Sequence, residues 1–253
     1  MGEGEGRVEQ LDEPWARRAP ARAVRELVLM GVLGPLMDLY TRRRVVGLEH
    51  FEGLEAPVVF VANHSSHMDT PAISRALPRA WRRRTAVAAA ADYFYRRRRL
   101  AYTVSLFFGT VPMARDGGGL EPSTTAHLDR LLGERWSLVM FAEGTRSRDG
   151  SVGRLRSGAA VLAAQHGLAI VPIHVSGTHV AMPPGRSWMQ RAPGRPLPRR
   201  HPIEIRFGAP IRPDSDEHRT DVMEHVRAFF EQAGAVTVPD RRAQARLAGS
   251  ASR

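Results

Sequence analysis

The sequence predicts an α/β fold: a single domain with a mixed, largely parallel sheet covered by helices, preceded by an N-terminal amphipathic, interfacial helical segment. Three observations predict it. Short apolar runs alternate with stretches of helical period from residue 45 onward. No internal repeat and no linker interrupts that alternation. A chain of 253 residues, 43% hydrophobic, is long enough to bury one substantial core.

The elements follow in order. Residues 1–20 carry Glu3, Glu5, Glu9, Asp12 and Glu13, which is the reverse of the basic start of a secretory signal, and they read as a disordered tail. Residues 21–44 are the interfacial segment, with apolar Leu27 to Met37 between Arg22 and Arg25 on one side and Arg42 to Arg44 on the other. That run is shorter than the roughly 18 to 20 residues that cross a bilayer, and Pro35 would kink it. Arg96 to Arg99, beside Tyr93, Phe94 and Tyr95, repeats the combination of arginine and apolar surface. Such segments suit an anionic lipid interface, although both could equally cover the protein's own core.

The domain proper is 45–238. Strands are predicted at Val45 to Phe51, Pro57 to Ala62, Thr85 to Ala91, Thr110 to Ala114, Ser137 to Ala142, Ala169 to Val175 and Pro202 to Phe207. Helices are predicted near 22–42, 71–79, 93–107, 122–133, 157–166 and 217–232. The proline-rich stretch 183–202 is a surface loop, and 239–253 is a disordered tail.

The formal charge is +11, and every one of the 37 basic residues is arginine. That charge suits an anionic neighbour, but an all-arginine composition also reflects coding bias. A basic nucleic-acid-binding protein would need a recognition helix or aromatic-basic platforms, and the arginines are scattered instead. The absence of cysteine removes thiol nucleophiles, thiolate metal sites and disulfides, and fits a reducing compartment.

In open α/β sheets, ligands gather beyond the carboxyl ends of the strands. VANHSSHMD (61–69) follows one predicted strand and FAEGTRS (141–147) another, so the two polar clusters should share an edge despite their separation in sequence. A serine nucleophile at Ser65 or Ser66 calls for a Gly-x-Ser-x-Gly elbow, which does not occur. A metallohydrolase site from His64, His67 and Asp69 uses ordinary ligands at a spacing that matches no established motif. The third reading is a histidine base oriented by Asp69. Within one helix His64 and Asp69 would lie about 140° apart, so the pair requires His64 in a loop and Asp69 in a first helical turn, which Thr70-Pro71 favours. Taken alone, Asp69 reads equally as a helix N-cap, and His67 as a packed or solvent-facing neighbour.

FAEGTRS, together with Asn63-His64 and Asp69, closely resembles the glycerophospholipid acyltransferase family, whose members include 1-acylglycerol-3-phosphate acyltransferases. Gly109-Thr-Val-Pro-Met-Ala-Arg115 resembles the family's second block and Ile170-Val-Pro-Ile173 its fourth, in the family's order over roughly residues 45–180. The resemblance implies acyl transfer from a thioester on coenzyme A or acyl carrier protein to a hydroxyl of a lysophospholipid or glycerol phosphate, chiefly 1-acylglycerol-3-phosphate, in phospholipid biosynthesis. It makes His64 the general base and Asp69 its orienting carboxylate. It assigns Arg115, Glu143, Gly144, Thr145 and Arg146 to the acceptor phosphate, and Asn63, Gly109 and Pro172 to acyl binding or to shaping the site. No metal or cofactor beyond the thioester co-substrate is implied, and the partners are donor, acceptor and membrane surface, with no nucleic acid. The location implied is peripheral or monotopic, on the cytoplasmic face of a membrane. Ala142 replaces the usual proline of the third block, and Pro112-Met113 a more aromatic second block. Acyl transfer to a non-phosphorylated hydroxyl lipid is the second acceptor reading.

The residue types suit that chemistry. A thioester is already an activated donor, so the main need is a base on a weakly nucleophilic hydroxyl, and histidine titrates near pH ~6.5. Arginines grip phosphate bidentately, and a glycine lets backbone approach closely. An ionised Glu143 cannot ligate phosphate directly and is expected to orient an arginine or to accept from an acceptor hydroxyl.

Overall fold

A computed structural model of the chain describes residues 9–95, 97–113, 122–194, 197–213 and 219–238. Its centre is a seven-stranded sheet in the order β1-β7-β6-β2-β5-β3-β4. The strands are β1 (Thr41–Val46), β2 (Val59–Ala62), β3 (Thr85–Ala90), β4 (Thr110–Met113), β5 (Ser137–Phe141), β6 (Ile170–Ser176) and β7 (His201–Phe207). All neighbours pair in parallel except β6 and β7, so β1 and β7 together run against the rest. The mixed, largely parallel sheet is the one the apolar runs predict.

Among the described residues, seven α-helices of a turn and a half or more accompany the sheet: α1 (Ala19–Leu27), α2 (Gly34–Tyr40), α3 (Asp69–Ala76), α4 (Arg98–Phe108), α5 (Pro122–Gly133), α6 (Gly158–Gln165) and α7 (Arg219–Gln232). Strand β2 shows why there are two layers of core. Its four residues are all buried, and successive side chains point to opposite faces. Val59 and Val61 join the core built with Leu128, Leu162 and Phe230, whereas Phe60 and Ala62 join that built with Ile73, Met37 and Phe207. Pro112 sits in β4 at the sheet's edge, where a missing ladder N–H is tolerated, and His127 Nε2 lies 2.6 Å from its carbonyl.

Three N-terminal expectations change. The first strand is Thr41–Val46 rather than Val45 to Phe51, and Leu48–Phe51 is a short 3-10 turn after Gly47. Arg42 to Arg44 therefore belong to an edge strand, whose arginines guard an unpaired backbone edge, and not to the end of the interfacial segment 21–44. Residues 9–20 are packed where a disordered tail was predicted: Arg17 forks onto Asp12 at 2.7 and 2.6 Å, and Ala16 is buried. Residues 1–8 and 239–253 lie outside the described residues.

The N-terminal helix is continuous from α1 through a π-helical stretch, Val28–Leu33, into α2. Its buried positions step by four through Ala21, Arg25 and Leu29, then by five to Gly34, then to Met37. The five-residue step crosses the π turn, whose wider winding keeps one stripe facing the domain. Gly34 is where this helix meets Arg75 of α3: a Cβ there would lie 2.8 Å from Arg75 Nε. Among the described residues no helix is long and apolar enough to cross a membrane.

Candidate active site

Three adjacent strands, β6, β2 and β5, end at one edge, and each delivers part of one polar site. After β2, the Asn63 side chain continues the ladder: its amide N–H donates to Val175 O at 2.9 Å, and its carbonyl accepts from Val175 N at 2.7 Å. That two-way clip on β6 sets the direction in which the next residue leaves the sheet. His64 then lies in a loop, and Asp69 opens α3, the arrangement that the spacing requires for the two to meet.

Asp69 has no exposed surface. Its Oδ2 lies 2.9 Å from His64 Nδ1 and accepts the backbone N–H groups of Ser65 at 2.7 Å and Ser66 at 2.8 Å. Its Oδ1 accepts from the Thr178 hydroxyl at 2.6 Å. A buried carboxylate without such donors would carry a large desolvation cost, and this network supplies them beneath the loop. The N-cap reading does not hold: Asp69 reaches back to the residues before the helix and caps none of its N–H groups.

Because an ionised carboxylate only accepts, Nδ1 of a neutral His64 carries the proton and Nε2 keeps its lone pair. The ring retains 17% exposure and stacks on Phe141, centroids 3.8 Å apart and planes 18° from parallel. Position and tautomer are thus both set.

Glu143, at the end of β5, binds this loop from the other side. Its Oε1 accepts the His64 N–H at 3.1 Å and its Oε2 the Gly153 N–H at 2.9 Å. Burial pushes the Glu143 carboxyl above its usual range, against the pull of those two amides. The structure differs from the expectation that Glu143 holds an arginine or an acceptor hydroxyl: each of its oxygens accepts a backbone N–H group. Ser147 N–H donates to His64 O at 2.8 Å, which completes the strap between the two motifs. Gly144 turns with φ +71° and faces Arg156, whose Nε would lie 2.8 Å from a Cβ. Thr145 is exposed and Arg146 half-exposed, and neither has a hydrogen bond among those described.

His67 is exposed, and partial desolvation with the nearby Arg146 and His64 charges lowers its pKa. Among the described residues no group of three or more His, Asp or Glu side chains could hold a metal ion. Asp69 in particular has its oxygens filled by N–H and O–H donors. Ser65 and Ser66 are buried, and the Ser66 hydroxyl donates to Met182 O at 2.9 Å, so neither is presented as a nucleophile.

The sequence of this chain has relatives. The sequence profile described as Acyltransferase matches residues 42–176, about half of the 253. The chain belongs to the acyltransferase family. Within the curated members, it is 30% identical over 143 residues to "1-acyl-sn-glycerol-3-phosphate acyltransferase LPAT1, chloroplastic" of Arabidopsis thaliana, covering 56% of this chain and 38% of that protein. To the BAT2 chloroplastic enzyme of the same description from Brassica napus it is 27% identical over 147 residues, 56% and 39% of the two chains. The chain thus spans about two fifths of the length of the curated relatives it matches. Among solved structures, the crystal structure of the 1-acyl-sn-glycerophosphate (LPA) acyltransferase PlsC from Thermotoga maritima shares the fold, with a TM-score of 0.59 at 20% identity over 90% of this chain and 85% of that one.

The acyltransferase-family blocks do not all reach the site. His64, Asp69, Asn63, Glu143 and the 144–146 turn are brought together. Pro172 pairs with Val61 in mid-sheet, below the edge, and packs under Gly208. Gly109 lies at the opposite edge: it ends α4 with φ +64° against the Arg25 guanidinium, before β4 begins. Arg115 lies outside the described residues. Sequence reasoning missed Phe141, Gly153 and Thr178. Thr178 left a trace, since Ser176-Gly177-Thr178 follows β6 at the same edge, and Gly177 has φ +80° where a Cβ would meet Pro202 O at 2.1 Å.

Proposed function

We propose that this protein transfers an acyl group from a thioester to the free hydroxyl of a 1-acylglycerol-3-phosphate-type acceptor, with His64 as the base. The observation that carries the reading is the His64–Asp69 pair at 2.9 Å, with Nε2 left unprotonated on the carboxyl edge. The acceptor hydroxyl gives its proton to Nε2 as its oxygen attacks the thioester carbonyl. The tetrahedral adduct then expels the thiolate, which takes the proton from the imidazolium. Asp69 stabilises that imidazolium, and base assistance of this kind is worth roughly 10²- to 10⁴-fold. Arg146, beside His67 and without a hydrogen bond among the described residues, supports phosphate recognition at this edge, with Arg115 its proposed companion from the family's second block. The relatives' descriptions favour a phosphorylated acceptor over a neutral hydroxyl lipid. Incubation of the purified chain with acyl-coenzyme A or acyl carrier protein and a set of acceptors, read by mass spectrometry, tests donor and acceptor together. Product from a neutral hydroxyl lipid alone would overturn the phosphate reading.

We further propose peripheral membrane attachment, on the cytoplasmic face, through the outer side of α1, α2 and the π stretch. Leu27 and Val32 are 70% and 60% exposed, with Val24 and Leu39 also uncovered. Leu29, in contrast, is buried against the domain, so it belongs to the fold and not to this surface. Replacing Leu27, Val32 and Leu39 with serine should release the protein from anionic vesicles without lowering its melting temperature. Unchanged sedimentation would assign attachment elsewhere.

A further inference from the structure

The edge of the sheet opposite His64 holds an arginine-lined cleft that the proposed reaction does not use. Arg22, Arg25, Glu26, Ser74, Arg82 and Arg83 line this groove, which is open to solvent and has an inner space of about 20 Å³. It lies where β3 begins at Thr85 and where α4 ends at Phe108. His64 follows the other end of the parallel strands, so the two sites are separated by the length of the sheet.

The charges here are unequal. Glu26 is the one carboxylate among the lining residues, and it is occupied by the Arg82 fork at 3.0 and 2.6 Å. Arg25 donates to the carbonyls of Leu106, Ser105 and Ala16 at 2.7 to 2.8 Å, which caps the end of α4 without any counter-charge. Arg22 and Arg83 make no ion pair among the described residues, and Arg22 Nε is buried with no hydrogen-bond partner. The Arg22 guanidinium is carried over the Trp136 ring at 5.9 Å from its centroid, which leaves the group held in place rather than free in solvent. Burial, with Arg17 and Arg22 nearby, lowers Arg25 to about 10, and burial with Arg83 and Arg84 lowers Arg22.

We propose that this cleft binds a phosphate group, held between the guanidinium groups of Arg22 and Arg83, with the Ser74 hydroxyl as a further donor. An orphaned buried N–H beside an unpaired guanidinium is the donor set that a tetrahedral oxyanion completes. The phosphate could belong to a lipid headgroup, since α1 exposes Val24 and Leu27 beside these arginines, or to a soluble phosphate ester.

The test uses the full chain and inorganic phosphate at constant ionic strength, read as a shift in melting temperature against chloride. The wild type should be stabilised by phosphate. Arg83→Gln, at an exposed position where folding is not at stake, should weaken that response about tenfold in phosphate concentration, and Arg22→Gln with Arg83→Gln should abolish it in an Arg146→Ala background. Arg146→Ala should keep the response, which separates this cleft from the proposed acceptor site. Vesicles containing phosphatidate, against phosphatidylcholine alone, identify the source: sedimentation lost in Arg83→Gln assigns a headgroup, and sedimentation retained assigns a soluble ester. No stabilisation of the wild type, a response unchanged in the double variant, or one lost only in Arg146→Ala would overturn the proposal.

Discussion

The two motifs that meet at the carboxyl edge are built differently. In the loop between β2 and α3, the polar side-chain atoms of Asn63, His64 and Asp69 are engaged apart from His64 Nε2. Asp69 accepts four hydrogen bonds, Asn63 makes two with β6, and His64 is held by its ring, its N–H and its carbonyl. In the turn after β5, Glu143 is engaged inward, while Thr145 and Arg146 stand outward without hydrogen bonds to described residues. On the proposed function this difference has a reason: proton transfer tolerates little misplacement, so a base is held before substrate arrives, whereas an acceptor phosphate would complete the arginine's bonding on arrival. The first region should therefore fail through kcat and stability, and the second through acceptor KM.

The largest effect expected is at the base. His64→Ala should lower kcat roughly 10²- to 10⁴-fold with the fold retained, because the ring contributes to the transition state and little to the core. His67→Ala, at an exposed ring, should stay within a few-fold of wild type. Equal losses in the two variants would favour a shared metal over a single base.

Asp69→Asn should come next, and it should differ from His64→Ala in kind. The amide would turn an NH2 toward the Ser65 and Ser66 N–H groups or toward Thr178, leaving a buried donor unmatched at about 1 to 3 kcal/mol. Calorimetry should show a lower melting temperature along with the loss of activity. Thr178→Val removes one donor and keeps the pair with His64, so its loss of kcat should be smaller than that of Asp69→Asn. Were Thr178→Val as damaging as His64→Ala, the hydroxyl would have a direct part in the reaction.

Arg146 tests the open half. Arg146→Ala should raise acceptor KM about 10- to 100-fold, and Arg146→Lys less, with thioester KM nearly unchanged. A change confined to thioester KM would move Arg146 from acceptor to donor.

The asymmetry also explains what could be read from the sequence. Strands β2, β5 and β6 appear as apolar runs because buried parallel strands need little else, and the shared edge of the two polar clusters follows from the rule that function collects at carboxyl ends, while the pairing of His64 with Asp69 came from the family resemblance. Strand β1 was hidden because TRRRVV is an edge strand, where arginine alternates with half-buried positions and imitates the flank of an amphipathic helix. Glu143 was placed correctly but given the wrong partners, because backbone N–H groups have no signature in sequence. Gly109 has a local reason to be glycine, the turn that ends α4, and that reason is invisible until Arg25 is seen packed against it. Thr178 reaches Asp69 across a sequence separation of 109 residues, a contact that no spacing rule anticipates.

The smallest effect is in the pH dependence of stability, where two buried groups act in opposite directions. Burial holds His174, in β6, below its ordinary value, with Arg206 adding to the effect. The unfolded imidazole binds a proton near pH ~6.5 and the folded one does so only at lower pH. Between those values the unfolded state carries more protons, so the stabilisation is complete above pH ~6.5 and is lost as pH falls. Glu143, pushed up by burial, does the reverse: from its unfolded value near ~4.3 upward, the folded state carries more protons, and stability declines as pH rises through the shifted value. His174→Leu should therefore flatten the acid-side fall in melting temperature below pH ~6.5. Glu143→Gln should remove the opposing slope while also loosening the His64 loop, since an amide can accept from only one of the two N–H groups. Melting curves taken at half-unit intervals from pH 4.5 to 8 would separate them. If His174→Leu leaves the acid limb as steep as in wild type, then acid sensitivity comes from the loop and turn at the carboxyl edge, and the contrast between the engaged loop after β2 and the open turn after β5 must include that sensitivity in the first.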